Sequence, residues 1–83
     1  MTRQDLAVDL VVGDTMETAV RLCRRHGIDP RKAIPVQSAA RRLEGTRGFR
    51  VVEVARPGAA RWGEFYDVAR RCGVEFVELE PVA

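Results

Sequence analysis

LAVDLVVGDTMETA, residues 6–19, is the stretch on which the fold turns. Leu6, Ala7, Val8, Leu10, Val11 and Val12 form an apolar run that only Asp9 interrupts. A strand covered on one face alternates apolar and polar residues. A continuous run marks a strand covered on both faces, as in a parallel sheet with helices on either side. The run falls far short of the roughly 20 apolar residues of a membrane span. Gly13 and Asp14 end it, and a helical pattern begins at Thr15. Asp14 stands where a helix cap belongs, with Glu17 three residues on as its capping-box partner. A strand that turns at once into a helix is the first half of a βαβ unit.

This turn falls at the carboxyl end of a central strand, where open α/β sheets bind their ligands. The helix amino terminus there offers free N–H groups and a partial positive charge. Gly13, Thr15 and Thr18 are therefore a candidate phosphate cradle. The stretch GDTMET matches neither GxxxxGKS/T nor GxGxxG, and Asp14 and Glu17 would repel an anion. Helix capping is the simpler reading of both acids.

Outward from this centre, the first helix covers residues 15–26, with Met16, Ala19, Val20 and Cys23 toward the sheet and Leu22 widening the stripe. Arg21, Arg24 and Arg25 lie on the wet side. Gly27 is the expected helix-ending residue, and Ile28 supplies the apolar contact that follows it. His26 reads as a helix-end residue rather than a catalyst. Asp29 and Pro30 start a short helical turn. Residues 33–36 then form a brief second strand, and Pro35, lacking an N–H, places it at a sheet edge. Strand orders 2-1-3-4 and 2-3-1-4 satisfy that constraint, whereas 3-2-1-4 buries the strand. The flavodoxin-like (Rossmann-like) order 2-1-3-4 is preferred.

Ser38 caps a short helix over residues 39–44. Residues 49–55 form the third strand, which leaves the sheet through Arg56, Pro57 and Gly58. A third helix over 59–72 carries Trp62, Phe65, Tyr66, Ala69 and Cys72 on its apolar face. Residues 74–79 form a fourth strand, with Glu75 and Glu78 as an exposed edge requires. The chain thus reads β-α-β-α-β-α-β, a single α/β domain over 1–83 with a minimal four-stranded parallel sheet. Residues 1–5 and 80–83 are expected to be loose ends.

Composition bounds the function. Eighty-three residues make one modest core, and 46% hydrophobic with 31% charged residues is an ordinary soluble composition. No signal-peptide pattern is present, which points to the cytoplasm. Cys23 and Cys72 fall on apolar helix faces and read as free thiols. Two cysteines and one histidine far apart do not spell a metal site, and no cofactor motif is present. The net charge of +2 hides a pattern, since residues 21–61 hold eleven basic against three acidic groups. Arg41, Arg42, Arg47 and Arg50 cluster there and are candidate nucleic-acid contacts.

VVGDTMETA at 11–19, SAARRLEGTRGF at 38–49 and VVEVARP at 51–57 resemble a kind of small α/β protein of actinobacteria and their phages. That resemblance implies an intracellular accessory protein acting on host machinery, in the host cytoplasm if phage-encoded, and transfers no catalytic residue. A fainter likeness is to the Walker B region of nucleoside triphosphatases. The strand that would carry it ends in Arg56 instead of paired acids, which argues against a nucleotide hydrolase.

The function expected is therefore non-enzymatic binding of another protein. Trp62 or Tyr66 would serve as an anchor where exposed, and an edge strand would accept a partner strand or a second copy. Nucleic-acid binding through the arginines is the first alternative. The second is a phosphate or nucleotide ligand held by Gly13, Asp14, Thr15, Ser38 and Arg56 at the carboxyl ends of the strands.

Overall fold

A computed structural model describes residues 8–54 and 62–79. Strand β1 (Leu10–Gly13) leads into helix α1 (Met16–His26), and a 3-10 turn (Pro30–Lys32) leads into β2 (Ala33–Pro35). Helix α2 (Val36–Leu43), strand β3 (Arg50–Val54), helix α3 (Trp62–Arg71) and strand β4 (Glu75–Phe76) complete the order. The sheet is all parallel, in the order β2-β1-β3-β4. This is the expected α/β architecture, with Pro35 on an edge strand.

β1 lies between β2 and β3, and each of its four residues is buried. Leu10 and Val12 join Val51 under α2 and α3, whose Val36, Ala39, Leu43, Phe65 and Val68 complete that core. Val11 and Val52 point the other way, toward Ala19 and Cys23 of α1. The two-sided apolar run is thus spent on two separate cores. α1 packs mainly on β1 and β2. On that face, Val54, Val77 and Leu79 remain half-buried.

Several boundaries differ from expectation. β1 begins at Leu10, because Asp9 is exposed and takes part in joining β1 to β3 instead. Its N–H donates to the Arg50 carbonyl at 2.7 Å, and its carboxylate accepts the Arg50 N–H at 2.8 Å. Val36 is helical, not extended. Val36, Ala39, Ala40 and Leu43 recur at helical spacing and are all buried, so α2 follows β2 without a connecting loop and Pro35, not Ser38, precedes its first turn. β4 pairs over two residues, Arg50 with Glu75 and Val51 with Phe76. One further bond runs from the Val77 N–H to the Val51 carbonyl. Met16, expected against the sheet, is exposed in the first turn of α1. The turn at Arg56, Pro57 and Gly58, the first residues of the expected third helix, Leu6, Ala7 and both loose ends lie outside the described residues.

Gly13 has an ordinary backbone conformation, so its need for glycine is one of space. A Cβ there would lie 2.7 Å from the Ala19 nitrogen and 2.9 Å from the Thr15 carbonyl oxygen, both backbone atoms. The strand end and α1 therefore cannot approach this closely over any other residue. Gly63 on α3 is the opposite case, exposed and with open space around it. Gly13→Ala should cost about 1–3 kcal/mol by overpacking, and Gly63→Ala should add about 0.4–1 kcal/mol through the unfolded chain. Urea unfolding of the two variants measures both.

Candidate functional site

At the carboxyl end of β1 the capping assignment moves by one residue. Thr15 is extended, with φ −131° and ψ 164°, and its carbonyl accepts the Ala19 N–H at 3.2 Å. Thr15, not Asp14, is therefore the residue before the first turn. Its hydroxyl accepts the Thr18 N–H at 3.2 Å and shares a hydrogen bond with the Thr18 hydroxyl at 3.0 Å. The two threonines thus satisfy each other at the amino terminus of α1. Glu17 is exposed beside them and pairs with Arg21 at 3.6 Å. Ser38 is exposed within α2 rather than capping it, and Arg56 lies outside the described residues. Gly13, Asp14 and Thr15 adjoin one another by sequence, and Gly13 is closed against α1 by the packing described above.

The amino end of the sheet is where the arginines gather. All three crossover helices run back from the carboxyl to the amino ends of the strands, so their last turns share that rim. Arg41 and Arg42 close α2 and Arg47 follows in the loop, all exposed. The Arg42 guanidinium stands 5.8 Å from the centroid of the Phe49 ring. The ends of α2 and α3 are tied together by the Gly48 N–H, which donates to the Cys72 carbonyl at 3.1 Å. The Cys72 thiol adds a bond to the Leu43 carbonyl at 3.3 Å. These ties bring Arg70 and Arg71, both exposed, to the same corner. Arg50 does not join it. Val51 faces α2 and α3, so Arg50 turns to the other face, where its guanidinium lies 3.6 Å from Glu75. Arg70 and Arg71 were missed as site candidates because they lie far off in sequence. Their place in the last turn of a second crossover helix was the available signal.

The third feature is the outer edge of β4. Trp62 is buried, so it anchors nothing outside the fold, and its indole N–H has no hydrogen-bond partner among the described residues. Tyr66 is half-buried and its hydroxyl donates to the Glu53 carboxylate. The most exposed aromatic residue is Phe76, at 43%. Its ring packs edge-on against Phe65 at 6.0 Å and Tyr66 at 5.9 Å between centroids. The Glu75 and Val77 N–H groups bond to β3. Between them, strand geometry turns the N–H and C=O of Phe76 outward, and no strand pairs with that edge among the described residues.

Among the described residues no group of three metal-ligating side chains forms, and no helix is long and apolar enough to cross a membrane. Comparison of the chain with protein-family models, with characterised proteins and with solved structures gives no match.

Two measurements check this geometry. Thr15→Ala should lose about 1 kcal/mol of stability in urea unfolding, the usual value of a helix cap. Burial, and secondly the Glu53 carboxylate, push the Tyr66 phenol up to about 12 from 10.0. The folded state thus holds the phenol proton more tightly than the unfolded chain. This contribution to stability is whole below about pH 10 and is lost as the pH rises from 10 toward 12. The chain has one tyrosine, so alkaline titration of phenolate absorbance reads it directly, and Glu53→Gln should bring the midpoint back toward 10.

Proposed function

We propose that the domain is a non-enzymatic accessory module that binds another protein through the outer edge of β4. The observation that carries this is the 43% exposure of Phe76 on a strand whose outer edge no other strand pairs with among the described residues. An open edge offers main-chain hydrogen bonds to an incoming strand, and an aromatic ring beside it supplies apolar contact. The resemblance to actinobacterial and phage proteins supports a partner in host machinery and a place in the cytoplasm.

A second reading, nucleic-acid binding, is favoured by the exposed corner of Arg41, Arg42, Arg47, Arg70 and Arg71. Arginines at helix carboxyl ends also offset the helix dipole, which explains Arg41, Arg42, Arg70 and Arg71 without a ligand and ranks this reading second. It requires affinity that falls steeply with salt.

Tagged protein exposed to actinobacterial lysate, with and without nuclease, separates the two. The expected result is a protein retained after nuclease and lost in the Phe76→Asp variant, with the variant's fold checked by circular dichroism. Retained material that disappears on nuclease treatment and with rising salt would transfer the function to the arginine corner. Nothing retained in either arm would overturn both.

A further inference from the structure

The open edge of β4 has a chemical preference of its own. The segment CGVEFVEL, residues 72–79, holds two carboxylates and no cation. Its side chains divide cleanly between the faces of the sheet. Phe76 packs against Phe65 and Tyr66 of α3, and Glu78, two residues on, shares that face by alternation. Val77 and Leu79 lie with the α1-side core, and Glu75 is with them, across from Arg50. Glu75 is thus partly neutralised by its cross-strand neighbour, whereas Glu78 is exposed with no ion pair among the described residues.

Resting on the protein-binding reading, we infer that the β4 edge accepts an extended peptide segment of alternating cationic and aliphatic residues. The backbone terms are supplied by the outward N–H and C=O of Phe76, and an added strand that continues past them runs alongside Glu78. On the α3 face, an arginine or lysine of the added strand lays its stem along the exposed Phe76 ring and brings its charge to Glu78. On the α1 face, an aliphatic residue covers half-buried Val77. Directly opposed unlike charges favour strand pairing, and like charges oppose it. The same rule disfavours a second copy of this chain as the occupant. Two-fold pairing of β4 with itself gathers both copies' Glu75 and Glu78 along one seam, which is how edge charges guard against self-association.

The test uses the whole protein and a short, acetylated and amidated peptide of alternating arginine and valine. Its companions are the same peptide N-methylated on alternate residues and a glutamate–valine peptide. Binding is followed by fluorescence anisotropy and by shifts of the Phe76 and Glu78 amide resonances. The arginine–valine peptide should bind, weaken with salt, and lose binding when the amides that face β4 are methylated. Glu78→Lys should weaken it about tenfold or more, as attraction becomes repulsion, and should gain affinity for the glutamate–valine peptide. Failure of the arginine–valine peptide to bind, indifference to methylation, or equal binding of both peptides would overturn the inference. A lysate partner retained undiminished by Glu78→Lys would overturn it too, while leaving the protein-binding reading in place.

Discussion

Burial of β1 on both faces is the constraint on which the other elements depend. Val11 and Val12 are adjacent, wholly buried, and face opposite cores. Each buried aliphatic side chain is worth about 1.5–3 kcal/mol, so neither side of the strand can be left to water. Helices on both sides follow from that, and parallel crossovers are the connection that supplies them. The strand is also clamped where it starts. Asp9 holds Arg50 of β3 through two hydrogen bonds, and the Lys32 ammonium donates to the Val8 carbonyl at 2.8 Å. Where β1 ends, Gly13 removes the last obstacle between strand and helix.

Three helices cover a four-stranded sheet unevenly. α2 and α3 pack together on one face, and α1 lies alone over β1 and β2 on the other. The two edges are treated differently as a result. β2 is three residues long and ends in Pro35, which cannot donate to a further strand. β4 keeps the outward N–H of Phe76, the exposed phenylalanine ring and the carboxylates of Glu75 and Glu78. Among the described residues the sheet therefore has one edge blunted by backbone chemistry and one flanked by charge, and charge discriminates between partners where a missing N–H does not.

Uneven charge along the chain has a plain geometric origin. The basic middle of the sequence contains the last turns of α1 and α2 and the loops beyond them. Parallel crossovers return every helix to the amino rim of the sheet, where a carboxyl-terminal dipole favours cations. That rule also carries Arg70 and Arg71 of α3 to the rim although they lie in an acidic part of the chain. Arg50 leaves the group for the same kind of reason. A strand residue alternates faces, and the burial of Val51 fixes which face Arg50 takes.

The sequence by itself determined the α/β class, the parallel sheet and the edge position of β2. Those follow from local signals: a two-sided apolar run, helical spacing, the glycine that ends α1 and a proline without an N–H. It also placed the buried aromatics of α3 on its apolar stripe. Short elements were less legible, because a few residues fit either period. Val36 reads as strand beside Ile34 and as helix beside Ala39, and only its burial in the core beneath α2 and α3 settles it. Asp14 and Thr15 are both good caps, and the choice went to the residue whose carbonyl takes the first helical bond. Exposure was decided by tertiary structure alone. That Trp62 is covered, Phe76 open, Arg50 paired and the end of α3 tied to the end of α2 depends on which strand and which helix lie next door, and sequence spacing carries no record of neighbours brought together by the fold.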